Sequence, residues 1–118
     1  MLNGGNFMKY FIENSGRKGT CYHEFYKGKW DGATFWKDDS VFLHDDTLDQ
    51  CGGLVEALML IIPSYDRYGP TEVFAADWEK IGKAIWQSDK SSVELYEEAS
   101  EWAAEVFKTE ECFTILGI

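Results

Sequence analysis

The sequence predicts an α+β domain: an N-terminal antiparallel β-meander of three or four strands, then about three helices packed on one face, then a short C-terminal strand. Three observations carry this. Residues 7–43 alternate with period two between clusters of turn-forming residues. Residues 47–106 place their apolar side chains three and four positions apart, the spacing of a helix face. Residues 112–116 return to a short apolar run bounded by acids and glycine.

The opening strand is expected over 7–13, with Met8, Tyr10 and Ile12 on one face and Phe7, Lys9 and Phe11 on the other. Residues 14–19 form a turn. A second strand over 21–26 sets Cys21, His23 and Phe25 against Tyr22, Glu24 and Tyr26. Gly28, between two lysines, suits a tight hairpin turn, because glycine reaches positive φ without steric cost. A third strand is expected near 34–37, after the Asp31-Gly32 turn signal, and residues 38–40 turn the chain into 41–43.

Thr47 and Gln50 have the spacing of a capping box, which opens a helix running to Ile62. Its apolar residues, Leu54 and Val55 and then every position from Leu58 to Ile62, cover nearly every side, so this helix is expected to be the most buried. Gly52-Gly53 permits close approach by a neighbour, and Pro63 ends the helix. After a loop over 64–70, Phe74, Trp78, Ile81 and Ile85 recur at helical spacing from Thr71 onward. Ser91 and Glu94 give a second capping box. The last helix then carries an apolar stripe (Tyr96, Ala99, Trp102, Ala103, Val106) and a glutamate stripe (Glu94, Glu97, Glu98, Glu101, Glu105).

A chain of 118 residues has room for one domain. Residues 1–6 add little to a core, and Met8 is a candidate start. Nineteen aromatic residues and a 45% apolar fraction exclude a disordered chain. Three widely spaced cysteines without a CxxC pair read as small buried hydrophobes rather than disulfides or zinc ligands. No basic segment followed by an apolar run opens the chain, and its longest apolar stretch, 57–63, is too short to span a bilayer. A cytoplasmic protein without a membrane partner is expected.

Charge is distributed unevenly around a net −10. Residues 7–30 carry five basic side chains against two acidic ones. Residues 38–66 contain no Lys or Arg, while seven acids fall there. Such a field repels nucleic acid and anionic lipid and favours a basic partner. Catalytic groups are sparse. His23 reads as a structural strand histidine, and a Cys21–His23 pair lacks an environment that lowers the thiol pKa. His44, Asp45 and Asp46 alternate faces if extended, so they converge poorly on a metal. No cofactor, metal or catalytic residue is expected. Trp30, Trp36, Tyr65 and Tyr68 flank turns or loops beside acids, the composition of a protein-binding hot spot.

The opening run Met8-Lys9-Tyr10-Phe11-Ile12-Glu13, the acidic and Trp-containing stretch 30–49, and the closing Glu111-Cys112-Phe113-Thr114-Ile115-Leu116 together resemble the immunity proteins of bacterial toxin–immunity systems, including those of contact-dependent growth inhibition. The likeness is one of overall character across the chain and carries no family residue over by position. It implies tight binding and neutralisation of a cognate toxin domain, with a basic nuclease as the leading case. The contact surface is then expected at Trp36, Asp38, Asp39, Asp45, Asp46 and Asp49, with the Glu94-to-Glu105 stripe as second choice. Two other classes fit the composition: an inhibitor that mimics nucleic acid, and a small-ligand module using Trp30 and Trp36.

Overall fold

The structure, a computed structural model, describes residues 8–117. Its core is organised around Phe113, which is fully buried. The Phe113 ring stacks on Phe25 at 5.5 Å and meets Trp78 and Trp102 edge-on at 5.3 and 5.5 Å. Aromatic pairs in these geometries add to the stabilisation from burial itself. Phe113 lies on β5 (Cys112–Leu116), and every residue of that strand is buried.

The sheet is antiparallel throughout and runs in the order β1-β3-β2-β5-β4. The other strands are β1 (Phe11–Ile12), β2 (Tyr22–Lys27), β3 (Val41–His44) and β4 (Pro70–Phe74). Four helices accompany it: α1 (Asp45–Asp49), α2 (Gly52–Ile61), α3 (Ala75–Ile85) and α4 (Lys90–Val106). The α+β class, with N-terminal strands, helices and a closing strand, is as the sequence predicts. Strand alternation sends Phe11, Phe25, Leu43, Val73, Phe113 and Ile115 toward the helices, where they meet Leu54, Leu58, Ile81, Leu95 and Ala99. Tyr22, Glu24, Phe42, Thr114, Leu116 and Glu72 therefore share the opposite face.

Several elements differ from expectation. β1 is two residues long and pairs with β3 rather than β2, so β3 returns into the sheet between them. Phe7, at the start of the expected strand, lies outside the described residues. Lys9 and Tyr10 leave the ladder because the Glu98 carboxylate takes the backbone N–H groups of Lys9, Tyr10 and Phe11 at 2.6, 2.9 and 2.8 Å. No tight hairpin forms at Gly28. Its φ is +81°, but the chain continues into a long loop, and the expected strand at 34–37 is part of that loop. Residues 70–74, read as loop and helix start, form the edge strand β4, with Thr71 and Val73 buried and their neighbours exposed.

The helix starts also shift. α1 begins at Asp45 because His44 Nδ1 accepts the Asp46 N–H at 3.1 Å, a capping role the sequence reading gave to Thr47. α4 is capped by Asp89, which accepts from Ser92 N–H at 3.0 Å, and not by the Ser91–Glu94 box. Asp89 also accepts from Gly53 N–H at 3.2 Å, joining the starts of α2 and α4. A Cβ at Gly53 would lie 1.7 Å from Ser88 Oγ, so a side chain here would force Ser88 and Asp89 to shift. α2 is not buried all round. Leu54, Ala57 and Leu58 face the core, whereas Met59 and Leu60 are exposed, Leu60 by 72%. Of the cysteines, Cys51 and Cys112 are buried and Cys21 is exposed, which corrects the expectation for Cys21. Among the described residues, no helix is long and apolar enough to cross a membrane.

Replacing Glu98 with alanine leaves three backbone donors without their charged acceptor. A local loss of about 2 kcal/mol is expected, which speeds amide exchange at Phe11 and Ile12 roughly thirtyfold. Exchange at Phe113 should not change.

Candidate functional site

The sheet face opposite the helices carries a buried carboxylate. Glu24 is 1% exposed, in the middle of β2. Its Oε1 accepts from Trp36 N–H at 2.7 Å, and its Oε2 accepts from Lys37 N–H at 3.0 Å and from Ser40 Oγ at 2.6 Å. A buried carboxylate with two backbone donors and a hydroxyl on it is satisfied, and each such bond is stronger than a neutral one. These bonds draw the loop over residues 28–40 back across the sheet.

Further contacts fix that loop. Thr114 Oγ1 donates to Gly28 O at 2.8 Å at one end, and Trp102 Nε1 donates to Asp39 O at 3.1 Å at the other. Between them, Asp31 accepts from the backbone of Ala33 and Thr34 at 2.8 and 2.7 Å and from the Thr34 hydroxyl. The Thr34 side-chain and backbone bonds, with that from Ala33, hold the Asp31 carboxyl down to about 2. Trp36 sits at φ +62°, a left-handed conformation that costs a non-glycine residue on the order of 1–3 kcal/mol. The Glu24 bonds at Trp36 and Lys37 hold it there. The indole stacks on Phe42 with 5.7 Å between centroids and carries the Arg17 guanidinium 3.9 Å above it.

The loop leaves a groove along the sheet. One part, about 480 Å³, has Tyr22, Glu24, Phe35, Trp36, Tyr68 and Leu116 among its walls. A second part shares Phe35, Tyr68 and Leu116 with it and adds Trp30 and Pro70. A third, again about 480 Å³, continues past Trp30 and Pro70 to Glu72, Phe74 and Asp77. Among the described residues, the charged side chains lining these three parts are Glu24, Glu72 and Asp77, all acidic. Tyr68 is 71% exposed and Phe35 48%.

The structure divides the expected contact residues. Trp36 is half-buried and belongs to the groove. Asp38 and Asp39 lie on the exposed loop at the start of β3, where Asn14 Nδ2 donates to Asp38 at 3.0 Å. Asp45, Asp46 and Asp49 lie on α1, past the other end of that strand, so the acidic run does not form one patch. Asp45 accepts from His23 Nε2 at 2.8 Å and from Arg67 Nη2 at 2.9 Å, and the same Arg67 nitrogen reaches Asp49 at 2.6 Å. The carboxylates of Asp45, Asp46 and Asp49 offer oxygens within 4.8 Å of one another, but Arg67 already supplies the positive charge between Asp45 and Asp49. Asp46 and Asp49 are both largely exposed, and Arg67 reaches only the second of them. On α4, Glu94 is held by Tyr10 Oη and Lys9 Nζ, and Glu98 by the backbone described above, so the glutamate stripe is free only at Glu97, Glu101 and Glu105, the last paired with Lys108.

Tyr65, read as a loop aromatic, packs against the core, and its buried hydroxyl has no protein partner. His23 is fully buried. Burial pushes its pKa below 6.5, outweighing the opposing pull of the Asp45 hydrogen bond, and its Nδ1 has no protein partner, as a neutral ring allows. The His23 hydrogen bond, followed by that of Arg67, lowers the Asp45 pKa. A ring enclosed in this way is closed to a substrate, which leaves the Cys21–His23 pair without a catalytic geometry.

Glu24, Phe35, Glu72, Phe74 and Asp77 were not singled out by sequence. Glu24 did carry a signal: it is the one acid inside a strand otherwise rich in aromatics. Comparison with known protein families, with curated proteins and with solved structures finds no match to this chain.

Two outcomes test the site's construction. Glu24→Ala should destabilise the fold by about 3 kcal/mol, and Ser40→Ala by about 1 kcal/mol, in urea titrations. In Glu24→Ala, trypsin should cut after Lys29 and Lys37 well before global unfolding. The His23 contribution is complete above pH 6.5 and declines below it, because the unfolded chain then binds a proton that the folded one refuses. Between pH 7.5 and 5.5 the protein should therefore lose about 1 kcal/mol, and His23→Gln should flatten that loss. Asp45 adds nothing in this window, since its lowered pKa matters only below 3.8.

Proposed function

We propose that this chain is a binding protein of the immunity type, which neutralises a basic toxin domain by occupying it and performs no reaction of its own. One observation carries the reading: the sheet face opposite the helices, covered by a loop that Glu24 fixes, carries a groove with aromatic walls and with Glu72 and Asp77 as its accessible acids. Exposed Tyr and Trp bury much area at low entropic cost, and acids around them speed encounter with a basic surface. The net charge of −10 extends that attraction beyond the groove. Of the acids first expected to make contact, Asp45 and Asp49 hold Arg67, so the contact centre moves from α1 to the groove at Trp36.

The test is co-expression with a toxin domain encoded by a neighbouring gene. A stable complex and restored growth are expected, with association slowing as salt rises. Tyr68→Ala, which removes an exposed ring, should weaken the complex roughly thirtyfold, mostly through faster dissociation. Absence of both complex and rescue would overturn the reading.

A further inference from the structure

We propose that the free edge of β4 takes up an extended segment of the partner as an added antiparallel strand, with a basic side chain opposite Glu72. This rests on the reading of the groove as the contact face, and adds how the two backbones join and which residue types the segment carries.

The register shows which backbone groups the edge offers. Gly117 N–H donates to Gly69 O at 3.0 Å, so these two residues face each other as a bonded pair. Bonded pairs alternate along an antiparallel ladder, which makes Thr71–Ile115 and Val73–Phe113 the next two. Thr71 and Val73 therefore direct their N–H and C=O groups at β5, and Pro70, Glu72 and Phe74 turn theirs outward. Pro70 lacks an N–H, and the Phe74 C=O belongs to the start of α3. The edge thus offers Pro70 C=O, Glu72 N–H and C=O, and Phe74 N–H. Among the described residues, no turn or loop backbone group bonds to these positions.

The two edges of the sheet differ. At the other edge, β1 is two residues long, and the Glu98 carboxylate already holds the N–H groups of Lys9, Tyr10 and Phe11. β4 is five residues long, and the third part of the groove, about 480 Å³, wraps around it. That part touches Ile62 and Thr71 on the helix side of the sheet, and Glu72 and Thr114 on the other. A cavity that meets both faces at an edge strand runs past the free backbone between them. The existing sheet is antiparallel throughout, and antiparallel pairing is the more stable per residue.

Charge selects the occupant. Two copies paired about Glu72 would set two carboxylates side by side, and like charges directly opposite are destabilising. Pro70 and Glu72 are the residue types that guard an edge against such self-pairing. Arg or Lys in that place forms an opposite-charge cross-strand pair instead, its Cα about 5.5 Å from that of Glu72 and on the same face. Asp77 adds a second acid, and no Lys or Arg among the described residues lines this part. The neighbours of the basic residue point to the Ile62 side and suit apolar side chains. Main-chain bonds then give affinity, and the alternating side chains give specificity.

The test uses the intact protein and four acetylated pentapeptide amides, followed by NMR. The first is Thr-Val-Arg-Val-Thr. The second carries an N-methyl group on the arginine, the third carries it on the valine after the arginine, and the fourth replaces arginine with uncharged citrulline. With arginine opposite Glu72, the arginine N–H points at the edge and the N–H of the following valine points away. The first and third should bind alike, moving the Glu72 and Phe74 amide signals and slowing their exchange. The second should bind at least about tenfold more weakly, and the fourth severalfold more weakly. Glu72→Gln should remove the difference between the first and fourth. Equal binding of the second and third, shifts away from β4, or no binding at millimolar peptide would overturn the inference. So would a dimer of the free protein in which the Glu72 and Phe74 amides are protected. A toxin complex in which those amides exchange as fast as in the free protein overturns the strand addition but leaves the immunity reading standing. Peptide binding without any toxin complex does the reverse.

Discussion

The groove depends on one buried carboxylate. Glu24 stands in the middle of β2, on the face that no helix covers, and takes donors from Trp36, Lys37 and Ser40. Without it, the 28–40 loop would be a thirteen-residue connection with few reasons to lie on the sheet. With it, the loop has a fixed course, Trp36 is held at positive φ, and the groove acquires a wall. The strain at Trp36 and the burial of Glu24 offset each other locally: the same bonds that satisfy the carboxylate impose the backbone angle.

The acids of this protein thus fall into two populations. Glu24, Asp45, Asp89, Glu94 and Glu98 are engaged by internal donors and hold elements together. Asp46, Glu72, Glu97 and Glu101 project into solvent. Net charge counts both equally, and long-range attraction to a basic partner responds to both. Short-range recognition uses only carboxylates that a partner can reach. The run 38–66 looked like one acidic surface because it lacks Lys and Arg, yet Arg67, one residue beyond it, folds back onto Asp45 and Asp49.

This explains what the sequence made legible. Periodicity located β2, β5 and the core stripes of α3 and α4, since Phe25, Phe113, Trp78, Ile81, Ala99 and Ala103 are buried for reasons local to their own segments. The α+β class followed from those. The missed features depend partly on partners distant in sequence and partly on local side-chain bonds that compete with regular structure. Residues 34–37 have the composition of a strand, but Asp31 and Glu24 take backbone donors that a ladder would have used. Thr71 and Val73 do alternate, yet Phe74 also fits the helical series through Trp78, and the helix period concealed a five-residue edge strand. Of the candidate site, Trp36 was visible as an aromatic beside a turn. Glu72 and Asp77 were not, because only the course of the 28–40 loop past β4 and the start of α3 sets them beside Trp30.

On the proposed binding reading, the cost of association explains why one sheet face is covered by a fixed loop rather than by helices. A partner that had to order a mobile loop would lose affinity for every side chain immobilised, on the order of 0.5–1.5 kcal/mol each. Here Trp30 is tied to Thr34 O at 2.7 Å, Trp36 is stacked on Phe42, and both ends of the loop are anchored to the sheet and α4. The ordering has been completed within the fold, at the expense of a strained residue and a buried charge. The helices build a core on one face alone, and Phe113 with its aromatic neighbours anchors the strand at the centre of the sheet. That leaves the rim of the other face to exposed side chains such as Phe35, Tyr68 and Glu72, which contribute little to the core.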